Sequence, residues 1–333
     1  PGLEEALEAG ELSLETIDQA VSRHLSKKME LGLFENPYVD EGSVLVEFET
    51  PENRRLAKEI ARQSLVLLKN DGTLPLKQSI KKIALIGPNA DNQRCMLGDY
   101  SYASMRELLF QDPPEGSGYQ GLTKADMEKM PVEIASVLES FRSVLPGSTE
   151  IRYAKGCDIA SQDKSDFAEA VEIASDADVA VLILGHKSGL GYDCTTGEFR
   201  DTTDLGLPGV QAELLKAVLE TGKPVVLVLI NGRPLSIPES VEAANAVLET
   251  WVPGEEGAGA IVDALMGEFN PGGKLPVSIA RSAGQVPVFY NFKPSGMRSN
   301  IYGDYVNESV KPLFPFGHGL SYTQFKYSNL KLD

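Results

Sequence analysis

The sequence predicts an α/β protein in which a mostly parallel sheet carries helices on both faces. Two continuous apolar runs, residues 179–184 (VAVLIL) and 225–230 (VVLVLI), are typical of strands buried on both sides. From residue 83 to residue 266, strand-length apolar runs alternate with helix-length patterns. This alternation is typical of βαβ units, which build a parallel sheet between two helical layers.

The first predicted helix covers residues 13–32. Ser13 can cap its N-terminus, apolar residues recur at spacings of three and four, and Gly32 can close its C-terminus. Asn36-Pro37 ends the regular pattern. The acidic, poorly periodic residues 41–50 that follow indicate a linker between two units.

A second helix is predicted to begin at Pro51 and to run through Ser64 toward the apolar residues 65–68. Strands are then predicted at residues 83–86, 151–153, 179–184, 225–230 and 246–249, and helices at 132–144, 164–175, 210–220 and 256–266. Residues 112–121 are rich in proline and glycine and indicate a surface excursion, and residues 291–319 show little periodicity.

Residues 185–211 (GHKSGLGYDCTTGEFRDTTDLGLPGVQ) connect a predicted strand to the helix that follows it. Ligands of open α/β sheets bind outside the carboxyl ends of the strands, and connections this long are commonly functional. The groups here that are capable of chemistry are Lys187, Asp193, Glu198, Arg200, Asp201 and Asp204. We expect Glu198, a carboxylate beside Arg200, to carry the chemistry.

Charge and hydropathy exclude several classes of partner. The net charge is −17, from 48 acidic and 31 basic residues. Such a surface repels nucleic acid and anionic membranes, because phosphate binding requires a basic footprint. No apolar run approaches the roughly 18–20 residues of a membrane span. The charge itself is consistent with solubility alone.

Cofactor motifs are also missing from the sequence. The three cysteines are scattered, and the three histidines form no HExxH, so no catalytic metal is predicted. Residues 87–91 (GPNAD) lack the glycines of a dinucleotide site, and residues 267–274 (GEFNPGGK) place the lysine of a P-loop one position late. No GxSxG is present for a serine hydrolase. We therefore predict no cofactor.

Once metal, nucleotide and serine-hydrolase motifs are excluded, catalysis by carboxyl groups is the chemistry that the loop can still support. Glycoside hydrolysis uses two carboxyl groups that flank the scissile bond, and Glu198 on a polar loop could be the acid/base. Residue types alone favour the alternative, in which Glu198 is a solvated loop carboxylate paired with Arg200.

Several long motifs resemble glycoside hydrolase family 3. They are LLKNDGTLPL (67–76), IALIGPNADN (83–92), GKPVVLVLINGRPL (222–235), WVPGEEGAGAIVDALMGEFNPGGKLPVSI (251–279) and FPFGHGLSYT (314–323). The segments KSGL, CTTGEFRD and LGLPGVQAELLKAV of the central loop and its helix resemble the family as well. The likeness covers nearly the whole chain.

The resemblance implies a domain plan. Relatives have an N-terminal (β/α)₈ barrel, an α/β sandwich and often a fibronectin-like domain. On that plan, residues 1–33 are the last helix of the barrel, 34–50 the linker, 51–290 the sandwich, and 291–333 a tail toward a fibronectin-like domain. The family's nucleophile is a barrel aspartate, typically followed by tryptophan; here the single tryptophan, Trp251, follows Thr250. The barrel is therefore an expected partner.

The resemblance also implies roles for site residues. The family's acid/base is a glutamate in a segment like SGEGxDR, which aligns with residues 196–202 and identifies Glu198. Phe199 stands where glycine is common and Thr202 where arginine is common, which leaves the loop conformation open. Tyr100 is the candidate platform for a sugar ring, or else a tyrosine packed beside the surface excursion. Asp193, Arg200 and Asp201 are expected to order the loop, and Asp193 and Arg200 also to bind the substrate.

Taken together, the residues and the resemblance predict the C-terminal part of a retaining, exo-acting β-glucosidase that releases terminal β-D-glucosyl residues. A β-xylosidase or another exo-glycosidase of the family is the near alternative, and a non-catalytic sugar-binding or assembly module the distant one. The expected substrate is a β-glucoside or a short oligosaccharide, and the chain alone is expected to be inactive. The sequence leaves open whether the chain forms a homo-oligomer.

Overall fold

The computed structural model describes residues 2–48, 50–110, 132–145, 147–291 and 303–331. The chain divides into two compact units, Pro1–Thr50 and Pro51–Asp333. The predicted excursion at residues 112–121 lies outside the described residues. Within the described part of the chain, no helix is both long and apolar enough to cross a membrane.

The first unit is helical. It contains α1 (Leu3–Glu8), α2 (Leu14–Glu30), a 3₁₀ turn (Glu41–Ser43) and α3 (Val44–Phe48). As predicted, Ser13 caps α2, and its side chain accepts a hydrogen bond from the Thr16 N–H at 3.2 Å. The short α3 lies in a stretch that was predicted as an irregular linker.

The second unit contains a six-stranded sheet. Its strands are β1 (Val66–Asn70), β2 (Lys82–Ile86), β3 (Glu150–Ala154), β4 (Val179–Gly185), β5 (Val225–Ile230) and β6 (Ala246–Trp251), in the spatial order β1-β6-β5-β4-β2-β3. Every neighbouring pair is parallel except β1 with β6. The predicted fold class is confirmed.

Helices cover both faces of this sheet. The α-helices of this unit are α4 (Pro51–Ser64), α5 (Tyr102–Phe110), α6 (Val137–Val144), α7 (Phe167–Asp176), α8 (Gln211–Leu219), α9 (Pro238–Ala243) and α10 (Gly257–Met266). Alternate residues of β4 divide between two buried clusters, because successive side chains of a strand point to opposite faces. Leu182 packs with side chains of α7, α8 and α9, and Ile183 with side chains of α4, α6 and α10.

The structure corrects the sequence prediction at β1. The predicted helix ran through Ser64 toward the apolar residues 65–68, and no strand was predicted there. In the structure α4 ends at Ser64, and Val66 pairs antiparallel with Glu249 of β6. Short apolar runs do not distinguish a buried strand from a buried helix by period alone. The six-residue α9 was not predicted. The helix predicted over 132–144 begins at Val137, after a capping box formed by Ser136 and Glu139.

The carboxyl ends of β2, β4, β5 and β6 share one edge of the sheet, and the loop 185–211 begins there. At Gly185 the backbone turns with φ at 137°, and a Cβ there would lie 2.0 Å from the carbonyl oxygen of Ile230. Only glycine fits this exit from β4. The buried Gln211 ties the far end of the loop back to the strand, because its side-chain amide exchanges two 2.8 Å hydrogen bonds with the Gly185 main chain.

Candidate active site

Between its two ends the loop folds back on itself. Ser188 and Thr196 form a parallel bridge, and the N–H of Gly189 donates to the carbonyl of Thr196 at 3.0 Å. Lys187 is largely buried, and its ammonium contacts Asp193 at 2.6 Å and Glu107 of α5 at 3.4 Å. These bonds fix the base of the loop, from which residues 197–200 project.

Glu198 stands at the exposed tip. Its main-chain N–H donates to the Oδ2 atom of Asp99 at 2.8 Å, and the Tyr100 hydroxyl donates to its Oε2 atom. Neighbouring residues of a second loop therefore hold both the backbone and the carboxylate of Glu198. Donation to the Glu198 carboxylate is the main reason why the pKa of Tyr100 is raised.

The backbone around Glu198 is tightly constrained. Gly197 has φ at 130° and Phe199 has φ at 60°, so a residue with a side chain adopts the left-handed region that glycine favours. The Phe199 ring remains 84% exposed and that of Tyr100 70% exposed. The departure noted in the sequence, phenylalanine where glycine is common, therefore keeps a glycine-like conformation and places an aromatic ring in solvent beside the carboxylate.

The predicted pairing of Glu198 with Arg200 is wrong for the described residues. Arg200 instead places its guanidinium 5.5 Å from the ring centroid of Tyr192, and its carbonyl accepts from Arg233. Because Phe199 turns through a left-handed conformation, the two neighbouring side chains diverge. The geometry thus brings Tyr100 to Glu198 but leaves Asp193 with Lys187.

Three residues at this edge of the sheet escaped the sequence analysis. Asp99 binds the Glu198 N–H and the Ser188 hydroxyl of the loop, and Arg233 binds loop carbonyls. Glu249 of β6 is fully buried, and burial raises its pKa to about 8. The N–H of Trp251 donates to Glu249 at 3.0 Å. The family resemblance pointed to Tyr100. It also covered Arg233, within residues 222–235, but gave that arginine no role.

Within the described residues, no group of three or more histidine, cysteine or acidic side chains could hold a metal ion. The arrangement therefore offers one exposed carboxyl group with a phenol that donates to it. Such a pair can deliver and retrieve a proton at an open surface. Glycoside hydrolysis requires in addition a second carboxyl group across the scissile bond.

Comparison with known proteins places these features in context. Residues 65–322 match the Glycosyl hydrolase family 3 C-terminal domain. A β-xylosidase of Formosa agariphila is 44% identical over 95% of this chain and 40% of its own length. A periplasmic β-glucosidase of Salmonella typhimurium is 36% identical over 100% of this chain and 43% of its own length.

Solved structures agree with this match. A β-glucosidase of Listeria innocua in complex with isofagomine superposes with a TM-score of 0.76 at 31% identity. The superposition covers 97% of this chain and 42% of that one. The chain therefore spans about two fifths of the length of the relatives it matches.

Proposed function

The chain belongs to glycoside hydrolase family 3, as its motifs indicated, and we propose that it is the C-terminal part of a retaining, exo-acting β-glucosidase. Its contribution is the acid/base, Glu198. The observation that carries the proposal is the position of this carboxylate at the exposed tip of a fixed loop. The Tyr100 hydroxyl donates to the carboxylate, and the Asp99 carboxylate accepts from the Glu198 main-chain N–H.

The chemistry assigned to Glu198 has two steps. In its protonated form it gives a proton to the glycosidic oxygen as the bond to the anomeric carbon breaks. A carboxylate of a preceding barrel domain attacks that carbon and forms a glycosyl-enzyme. Glu198, now ionised, takes a proton from the water that hydrolyses this intermediate, which restores both carboxyl groups.

The neighbouring residues take supporting roles. The ring of Tyr100 offers its exposed face to a sugar on the leaving-group side, and its hydroxyl orients the Glu198 carboxylate. Asp193 acts through Lys187 on the base of the loop, and Arg200 stacks on Tyr192 beside the tip. The substrate class that fits is a β-glucoside or a short oligosaccharide.

The domain plan is part of the same proposal. We assign residues 1–33 to the last helix of a (β/α)₈ barrel, 34–50 to a linker, 51–290 to the sandwich and 291–333 to a tail toward a fibronectin-like domain. In support, α2 has no buried residue, and its apolar side chains, among them Val21, Leu25 and Met29, are exposed. An apolar helix face of this kind suits packing against further elements of a barrel.

The test is Glu198→Gln in the full-length protein that carries this chain. For aryl β-glucosides with poor leaving groups we expect kcat/KM to fall about 10²–10⁴-fold. For 2,4-dinitrophenyl β-glucoside, whose leaving group needs no protonation, we expect a much smaller loss in the glycosylation step. Asp204→Asn is the control, because Asp204 is an exposed carboxylate of the same loop that bonds only locally, to the Gly206 N–H. A uniform small effect of Glu198→Gln would contradict the proposal.

A β-xylosidase is the second candidate, and one observation favours it: the relative at 44% identity is named a β-xylosidase. Initial rates of the full-length protein on matched aryl β-glucosides and aryl β-xylosides decide between the two. A faster xyloside would replace the glucosidase proposal while leaving the assignment of Glu198 unchanged.

A further inference from the structure

We propose that Asp99 and Arg233 are positioning residues that fix the acid/base segment, residues 195–200, from its two sides. The inference rests on the proposed function of Glu198 and adds to it the means by which an exposed carboxylate is kept in place. Both residues act on the main chain of the segment.

Asp99 holds the tip of the loop to its base. Its Oδ2 atom accepts from the Glu198 N–H at 2.8 Å, and its Oδ1 atom accepts from the Ser188 hydroxyl at 2.5 Å. One carboxylate thus joins two positions of the same loop that lie on different strands of its internal bridge. Hydrogen bonds to an ionised acceptor are about twice as strong as hydrogen bonds between neutral groups.

The loop also packs directly on this carboxylate. A Cβ placed on Gly197 would lie 2.8 and 2.9 Å from the two Asp99 oxygens and 2.3 Å from the carbonyl oxygen of Gly189. No side chain fits between the segment and Asp99. The next residue along, Tyr100, donates to the Glu198 carboxylate, so displacement of Asp99 would move both contacts at once.

Arg233 holds the segment from the side of β5. Its Nη2 atom donates to the carbonyl of Arg200 at 2.5 Å, and its Nη1 atom makes a longer bond of 3.4 Å to the carbonyl of Thr195. These two carbonyls bracket the segment that contains Glu198. The side chain of Asn231, at the end of β5, in turn donates to the Arg233 carbonyl at 2.8 Å, which ties this contact to the sheet.

These bonds matter because packing does not hold the tip. Glu198 and Phe199 are both exposed, so hydrogen bonds to the main chain, together with the Tyr100 hydroxyl on the carboxylate, set the position of the carboxyl group. Displacement by about 1 Å can cost a catalytic group about 10²-fold in rate. Loss of either positioning residue should therefore weaken proton transfer without removing the acid.

The experiment is a double-mutant cycle in the full-length enzyme with aryl β-glucosides of graded leaving-group pKa. Asp99→Ala is expected to lower kcat/KM about 10- to 100-fold for poor leaving groups and less than about threefold for 2,4-dinitrophenyl β-glucoside. Asp99→Asn should recover most of the loss, because its amide oxygen can still accept from the Glu198 N–H. In the Glu198→Gln background, Asp99→Ala should cost nothing further.

A matched control separates positioning from general disruption. Asp163 also accepts a main-chain N–H and a serine hydroxyl, both from Ser165, but it lies in an exposed turn before α7. Asp163→Ala should leave the leaving-group dependence unchanged. On the Arg233 side of the segment, Arg233→Met should reproduce the Asp99→Ala pattern. Its control is Arg281→Met, which removes an arginine bonded to the Lys311 carbonyl and should not reproduce that pattern.

The outcomes distinguish the inference from its premise. If Glu198→Gln shows no dependence on the leaving group, the proposed function fails. If Glu198→Gln behaves as expected but the Asp99→Ala loss is equal for all leaving groups, or is fully additive with Glu198→Gln, Asp99 is merely structural and the inference is overturned. Urea unfolding of each variant identifies any that do not fold, and Asp99→Asn and Arg233→Lys then serve as the milder pair in the same cycle.

Discussion

Replacement of the buried Glu249 by glutamine is expected to remove a pH-dependent loss of stability. The carboxyl lies at the end of β6 with no exposed surface. Its Oε1 atom accepts from the Trp251 N–H at 3.0 Å, and its Oε2 atom accepts from the Asn231 side chain at 3.3 Å. Burial disfavours the charged form and raises the pKa of Glu249 from an ordinary 4.5 to about 8.

The sign of the effect follows from proton binding. Between pH 4.5 and pH 8 the folded chain keeps a proton on Glu249 that the unfolded chain releases, so stability is greatest below this window and falls as the pH rises through it. The slope is about 1.4 kcal/mol per pH unit, and the total loss at pH 8 is roughly 3–5 kcal/mol. Glutamine does not titrate and keeps an oxygen that can accept from Trp251.

The assay is urea unfolding of parent and Glu249→Gln at pH 5, 6.5, 8 and 9, followed by circular dichroism. At pH 5 the two free energies of unfolding should agree within about 1 kcal/mol. By pH 8 the variant should have gained on the parent by roughly 3–5 kcal/mol. Glu220→Gln, an exposed glutamate at the end of α8, should show a constant difference. If the Glu249→Gln difference is also constant from pH 5 to pH 9, the argument from burial is wrong.

Two further replacements test the same edge of the sheet. Burial, and then the charge of Arg233, lower the pKa of His186 from 6.5 to about 4. The free energy of unfolding of the parent is therefore expected to decrease by about 1.4 kcal/mol per pH unit as the pH falls from 6.5 toward 4. Urea unfolding of His186→Gln should show this loss abolished, and a pH-independent difference from the parent would count against it. Gly185→Ala places a methyl group 2.0 Å from the Ile230 carbonyl oxygen and should lower the free energy of unfolding by more than about 2 kcal/mol, whereas Gly284→Ala, with open space around it, should leave the melting temperature nearly unchanged.

The sequence predicted the interior of the fold well because burial leaves a composition signal. Residues 179–184 are apolar at every position, and β4 extends over Val179–Gly185 with all seven residues buried. The strand β1 carried the same signal in a run too short to reveal its period. This run forms a strand because it pairs with β6, which lies far along the chain, and a local sequence pattern carries no information about that pairing.

The candidate site was only partly predictable. The family resemblance assigned roles to Glu198 and Tyr100, and the structure brings the two side chains together. Asp99 and Arg233 bind Glu198, Thr195 and Arg200 through main-chain N–H and carbonyl groups, which residues of almost every type possess, so no residue pattern in the loop marks these targets. The expected partner of Glu198, Arg200, was wrong because adjacency in sequence does not imply adjacency of side chains where the backbone turns at Phe199.

The position of β1 has a consequence for synthesis on the ribosome. One side of this strand pairs with β6, and the other is closed by the C-terminal segment, where the Leu320 N–H donates to Leu67 and His318 bonds the Leu68 carbonyl 250 residues back along the chain. At a translation rate of about 5–20 residues per second, roughly 10–50 s pass between the synthesis of β1 and that of the segment that pairs with it. A nascent chain released before Leu320 would expose the apolar edge of β1. Premature termination before this residue therefore favours aggregation of the truncated chain.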